Sequence, residues 1–216
     1  MAEVFTDRHQ EVMVITMARR EANNALSEAF MAQITAAFDQ AEADPAVKAV
    51  VLTGSDRVFC MGADIEEMLP LTGAEALRWG RLGTDLNLKI ERFPKPVVAA
   101  VNGMALGGGN ELAMACHGRI ASRRARFGQP ECTLGITPGA GATVRLPRLV
   151  GPGWAKQLLF TGEMINAQMA QKIHLIDRVT QPESLLEEAV QWAREMAAPP
   201  VCESKEDKED DKFRDV

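Results

Sequence analysis

Two glutamates in this chain stand beside glycine-rich turns, and together they are the residues best placed to do chemistry. Glu111 follows Gly107, Gly108 and Gly109 and leads into residues 112–116 (LAMAC), an apolar string that reads as the first turns of a buried helix. Glycines just ahead of a helix let a ligand approach the backbone, and the helix start offers unpaired N–H groups and a partial positive charge. Such a place suits an oxyanion. Glu131 follows in Gly128-Gln129-Pro130-Glu131, and a second glycine-rich turn, Pro138-Gly139-Ala140-Gly141, opens another helix. Two carboxylates so placed form an acid/base pair around a polarised carbonyl. The same residues also fit plainer roles: a glutamate complementing a helix dipole, and a loop charge after a proline. A third turn, residues 59–65 (FCMGADI), has Gly62 for close backbone approach and Asp64 as the N-cap of a short helix, so the N–H of Ala63 is free to point at a ligand.

The segments NGMALGGGNELAMAC, FGQPECTLGITPGAG and FCMGADI resemble the signature segments of the enoyl-CoA hydratase/isomerase (crotonase) family, in family order, and the resemblance runs from about residue 4 to residue 198. It implies an α/β crotonase fold of stacked ββα units with peripheral helices. It implies an oxyanion hole made by the amides of Ala63 and Gly108, with Glu111 orienting and activating water and Glu131 exchanging a proton with the substrate. Gly139 matches a position whose amide helps hold that water. The acyl-CoA is expected along Ala22, Asn24, Ala63, Asp64, Ile65 and Gly108, with coenzyme A as part of the substrate and no separate cofactor or metal. Met61, Met68 and Met104 are candidates for a pliant acyl pocket, although core packing is the commoner use of methionine. Where many relatives carry lysine, this chain has Glu21 and Glu66, which leaves Arg19 and Arg20 as the nearby cations. Two glutamates favour hydration; double-bond isomerisation needs only one base. The family also implies a homotrimer or a dimer of trimers.

The wider composition agrees with such an enzyme. With 216 residues the chain suits one domain, and 46% apolar and 25% charged content are those of a soluble globular protein. A net charge of −6 argues against nucleic acid or an anionic membrane as partner. The only basic cluster is residues 119–126, with arginines at 119, 123, 124 and 126, which reads as a solvated strand face and is the sole support for an RNA-binding role. Four cysteines without CxxC spacing read as reduced core thiols, and three scattered histidines suggest no metal cluster. His117 is expected to cap the helix that bears Glu111. Neither glycine cluster completes G-x-G-x-x-G, since Leu112 and Val144 fall at the last position, and no G-K-[ST] occurs. With no apolar leader and no run long enough for a bilayer, a cytoplasmic location is expected.

The elements that must position these residues follow in order. Residues 11–18 read as a strand paired with 3–6, and Ser27 caps an amphipathic helix reaching Asp44, with Phe30, Ile34, Ala37 and Phe38 on one face. Residues 48–53 and 96–101 read as buried strands, 73–92 as a helix with Ala76, Leu77, Leu82, Leu86 and Ile90 on its apolar side, and 119–127 as a strand. Helices are expected over 140–149, 153–160, 166–173 and 183–197, with a short strand at 174–179. Residues 1–198 form the catalytic domain in this reading. The charged stretch 199–216 reads as a solvated, mobile tail, at a place where members of the family usually continue through further helices.

Overall fold

Chain entry is a hairpin: β1 (Val4–His9) runs antiparallel to β2 (Val12–Met17), as the alternating apolar pattern of the second strand predicts. In a computed structural model of the chain, which describes residues 3–198, β2 is followed by α1 (Glu28–Ala43) and β3 (Ala49–Gly54). The Ser27 hydroxyl accepts from the N–H of Phe30 and so caps α1 as expected. From there the chain repeats one move. A strand of a six-stranded sheet leads by a tight turn into a short strand of a second sheet, and then into a helix. β3, β4 (Val58–Cys60) and the helices α2 (Ile65–Met68) and α3 (Gly73–Glu91) make one such unit. β5 (Val97–Val101), β6 (Met104–Leu106) and α4 (Gly108–Ala115) make the next. β7 (Gly118–Ser122) and β8 (Arg126–Gly128) pass through a 3-10 turn, Pro130–Leu134, to α5 (Ala142–Thr161). After it come β9 (Met164–Asn166), α6 (Ala167–Lys172), β10 (Arg178–Thr180) and α7 (Leu185–Ala197).

The large sheet has the order β1-β2-β3-β5-β7-β10 and is parallel apart from the first pair; the small one has the order β4-β6-β8-β9. Parallel strands buried on both faces need apolar residues at every position, and β3 (AVVLTG) and β5 (VVAAV) show it. Val50, Leu52, Val97 and Ala99 face the main core between the sheets and helices α1, α3 and α4. Val51, Val98 and Ala100 face the other way, where α7 covers them with Leu185, Ala189, Val190 and Ala193.

Several expectations need correction. Residues 119–127 are not one strand: the chain turns at Arg123 and Arg124, so β7 and β8 belong to different sheets. Arg119 is buried and donates to the carbonyls of Leu175 and Cys116, so it belongs to the interior rather than to a solvated basic face. Helices 140–149 and 153–160 are joined end to end, with a break only at Gly151 (φ 77°). β4, β6 and β9 were not foreseen as strands, and the strand expected at 174–179 is confined to Arg178–Thr180. On α3 it is Trp79 that is buried, while Leu77 is exposed. His117 accepts from the N–H of Val97 and lies against the carbonyl of Glu91, so it ties β5 to the end of α3 instead of capping its own helix. Cys60 and Cys116 are buried free thiols, whereas Cys132 is exposed; Cys202 and the tail lie outside the described residues.

Candidate active site

The first turn of α4 is where the site is built. The helix starts at Gly108, earlier than the apolar string suggests, because the glycines form its first turn. At Gly109 the reason is steric. A Cβ there would lie 2.1 Å from the carbonyl oxygen of Cys60, so only glycine lets α4 rest directly on β4. That contact brings the start of α4 beside the 59–65 turn, where Gly62 takes φ 97°. Leu26 forms a parallel bridge with Ala63: the N–H of Leu26 donates to Gly62 and the N–H of Asp64 donates to Leu26. Such a bridge uses the amides on either side of Ala63, so the N–H of Ala63 itself points away from Leu26. On that far side lies Gly108, whose Cβ position is 3.6 Å from the Ala63 nitrogen. Gly108 opens its helix and has no carbonyl one turn earlier to accept its N–H. Two amides thus sit side by side with no acceptor among the described residues.

Glu111, one turn into α4, is 2% exposed. Its Oε1 accepts from the N–H of Ala140 at 2.9 Å and of Ala142 at 2.8 Å, both in the glycine-rich turn ahead of α5. Burial raises its pKa above the ordinary carboxylate value, and those N–H groups and the Arg145 guanidinium limit the rise. Glu131 sits in the 3-10 turn, also buried, with Oε2 lacking a partner among the described residues. Burial pushes its pKa up to about 7, and the charge of Glu111 adds to the rise. The two carboxyl groups are near enough for the charge of one to act on the other. The N–H of Glu111 donates to the Gly107 carbonyl, and Oε1 of Glu131 is 3.1 Å from the point where a Gly107 Cβ would stand. Gly139 lies exposed in the turn that feeds Glu111.

The acyl-CoA positions divide. Asp64 caps α2 by accepting from Glu67, and its other oxygen is 2.6 Å from Arg19. Burial works against its charge, but the Arg19 hydrogen bond and the Glu67 amide hold its pKa low, so the side chain is committed inside the fold. Arg19 also donates to the carbonyl of Ala25, which removes it as a free cation for a phosphate; Arg20, beside Asp56, stays exposed. The Asn24 side chain is buried and donates to the carbonyls of Met17 and Phe59, stapling β2 to β4. The backbone N–H groups of Asn24 and Asp64 are spent too, on the carbonyls of Arg19 and Leu26, and of the polar atoms of these two residues Asn24 Oδ1 alone has no partner among the described residues. Ala22 is half-buried at the end of a 3-10 turn, and Ile65, Met61 and Met104 are exposed, while Met68 packs against the core. Among the described residues no cluster of three His, Cys, Asp or Glu side chains could hold a metal ion. No described helix is long and apolar enough to cross a membrane.

Sequence reasoning passed over the side chains that hold the 139–141 turn, Asn87 and Arg145 above all. One local signal was present: Asn87 is a polar residue next to Leu86 on the buried side of α3.

Comparison with known proteins gives the same answer from outside. The family model for enoyl-CoA hydratase/isomerase matches residues 7–209. A crotonyl-CoA hydratase of Syntrophomonas wolfei is 50% identical over 186 residues, which are 86% of this chain and 72% of that protein. A short-chain-enoyl-CoA hydratase of Clostridium acetobutylicum is 45% identical over 196 residues, 90% of this chain and 75% of its own length. The crystal structure of an enoyl-CoA hydratase from Bacillus anthracis superposes with a TM-score of 0.87 at 37% identity, covering 91% of this chain and 77% of that one. The chain belongs to the enoyl-CoA hydratase/isomerase family.

Proposed function

We propose that the chain is an enoyl-CoA hydratase, adding water across the double bond of a trans-2-enoyl-CoA to give a 3-hydroxyacyl-CoA. The observation that carries this reading is a pair of buried glutamates whose charges interact, one fixed by backbone donors and one with an unengaged oxygen, next to two free amides. The thioester oxygen accepts from the N–H groups of Ala63 and Gly108. This draws charge out of the conjugated double bond; losing one such donor costs about 3 kcal/mol of barrier. Glu111, ionised, takes a proton from water as the water oxygen bonds to C3. Glu131, protonated, delivers its proton to C2. A proton passed from Glu111 to Glu131 restores the starting state, so one water is consumed per turnover. The opposed demands suit this pair, because like charge and burial keep one carboxyl protonated while the N–H donors favour ionisation of the other.

The relatives' names support hydration over isomerisation, and so does retention of both glutamates. Exposed Met61 and Ile65, on either side of Ala63, and Leu134 and Ile136, which follow Glu131, supply apolar surface for an acyl chain. Coenzyme A enters as part of the substrate and no further cofactor is required. Assembly as a trimer or a pair of trimers completes this reading. The test is loss of conjugated-thioester absorbance with a panel of short, long and aryl 2-enoyl-CoAs. Turnover of at least one supports the proposal, and inertness toward the whole panel refutes it.

A further inference from the structure

Three consecutive peptide units around Gly139, Ala140 and Gly141 point the same way. The carbonyl of Gly139 accepts from the Thr84 hydroxyl at 3.2 Å, and the N–H of the same peptide, that of Ala140, donates to Glu111. The carbonyl of Ala140 accepts from Asn87 Nδ2 at 2.9 Å and from Arg145 Nη1 at 3.0 Å, and the N–H of that peptide, Gly141, faces the Glu111 carboxylate. The carbonyl of Gly141 accepts from the N–H groups of Val144 and Arg145 at the start of α5, while the N–H of Ala142 donates to Glu111. A trans peptide is planar with its C=O and N–H opposed, so fixing the oxygen on one side aims the hydrogen at the other.

We propose that Asn87 and Arg145, seconded by Thr84, are positioning residues for the hydration: they hold the carbonyls of Gly139 and Ala140 outward, as the first turn of α5 holds that of Gly141, and thereby aim a cluster of N–H groups at the catalytic carboxylate of Glu111. The inference rests on the hydratase reading for its effect on rate. Thr84 is the weakest member, since its one hydroxyl proton is shared with the carbonyl of Gly80. Arg145 is the strongest. Its guanidinium is buried, Nη2 is 2.7 Å from Glu91 Oε2, and so the pair spans from α3 to α5 behind the turn. Glycine at 141 is what lets it in: with φ 119°, a Cβ at that position would stand 1.9 Å from Arg145 Nη1. None of these side chains makes a hydrogen bond to Glu111. Apart from the charge of Arg145, which also favours ionised Glu111, they act on it through the backbone, which makes this a device for keeping one carboxylate oxygen still while the other oxygen handles water.

The experiment compares Asn87→Ala, Arg145→Met, Arg145→Lys and Thr84→Val with the unaltered chain. It reads steady-state hydration of crotonyl-CoA alongside amide hydrogen exchange at residues 140 and 142. The first two variants should lose roughly 10- to 100-fold in kcat with KM within about threefold, since substrate contacts are untouched. Arg145→Lys, which keeps a donor for the Ala140 carbonyl, should recover part of the loss. Exchange protection at 140 and 142 should fall in step. Thr84→Val should show a smaller change of the same kind and serves if Asn87→Ala does not fold. A kcat within twofold of the unaltered chain, or unchanged protection at 140 and 142, overturns the proposal whatever happens to the melting temperature. If the unaltered chain hydrates no enoyl-CoA, the functional reading fails instead, and amide exchange alone decides the positioning.

Discussion

Glu131 is a buried carboxyl group with one oxygen that finds no partner among the described residues. Burial, then the neighbouring Glu111 charge, brings its pKa to about 7, and the acid form is the one that can protonate C2. As pH rises through that value the acid is lost. The kcat/KM of the free enzyme should therefore fall on the alkaline side with an apparent pKa near 7, a value belonging to the coupled pair rather than to one side chain. In the proposed hydration Glu111 acts ionised, so an acid limb should lie above the usual carboxylate range, in keeping with its raised pKa. A pH–rate profile checks both limbs. A flat profile between pH 6 and 8 would remove Glu131 from the proton path.

At the scale of elements, the site depends on α4 lying hard against β4. Gly109→Ala would place a methyl group into the Cys60 carbonyl, a backbone atom that cannot swing aside. The helix must lift, at about 3 kcal/mol or more, and the Gly108 amide leaves its place beside Ala63. Urea denaturation should show the loss of stability, and an unchanged midpoint would mean that α4 packs otherwise. The glycines, the Ser27 and Asp64 caps and the buried strands β3 and β5 were legible in the sequence because each is a local pattern. What was not legible is long-range. Nothing in RIASRRARF tells that the chain changes sheet after Ser122, since both halves are short and apolar enough for either. The capture of Arg19 by Asp64, 45 positions away, and of Ala140 by Asn87, 53 away, arises from packing and leaves no local mark. The face of α3 was misjudged for the same reason, because its stripe admits Leu77 or Trp79 until the partner surface is known.

For the molecule as a whole, a core that spans both faces of the large sheet is accompanied by two buried carboxyl groups, Glu111 and Glu131. Their effect should be visible in the pH dependence of folding. The folded pKa of Glu131, about 7, lies above its ordinary value of 4.5, so its protonated form favours the native state below pH 4.5 and that contribution is lost as pH rises to about 7. Glutamine at 131 removes the titration. Relative to the unaltered chain, Glu131→Gln should gain on the order of 1–2 kcal/mol between pH 4.5 and pH 8, allowing for solvent screening, as read by chemical denaturation at both pH values. Equal differences at the two pH values would mean that Glu131 is solvated in the folded protein.

The most direct test of the central claim is the hydration rate of crotonyl-CoA by Glu111→Gln. That substitution keeps the shape of the side chain and removes the base. Water activation by Glu111 predicts a fall in kcat of about 100- to 10,000-fold with the fold intact. A rate equal to that of the unaltered chain would contradict the two-glutamate mechanism and leave Glu131 as the sole acid/base group.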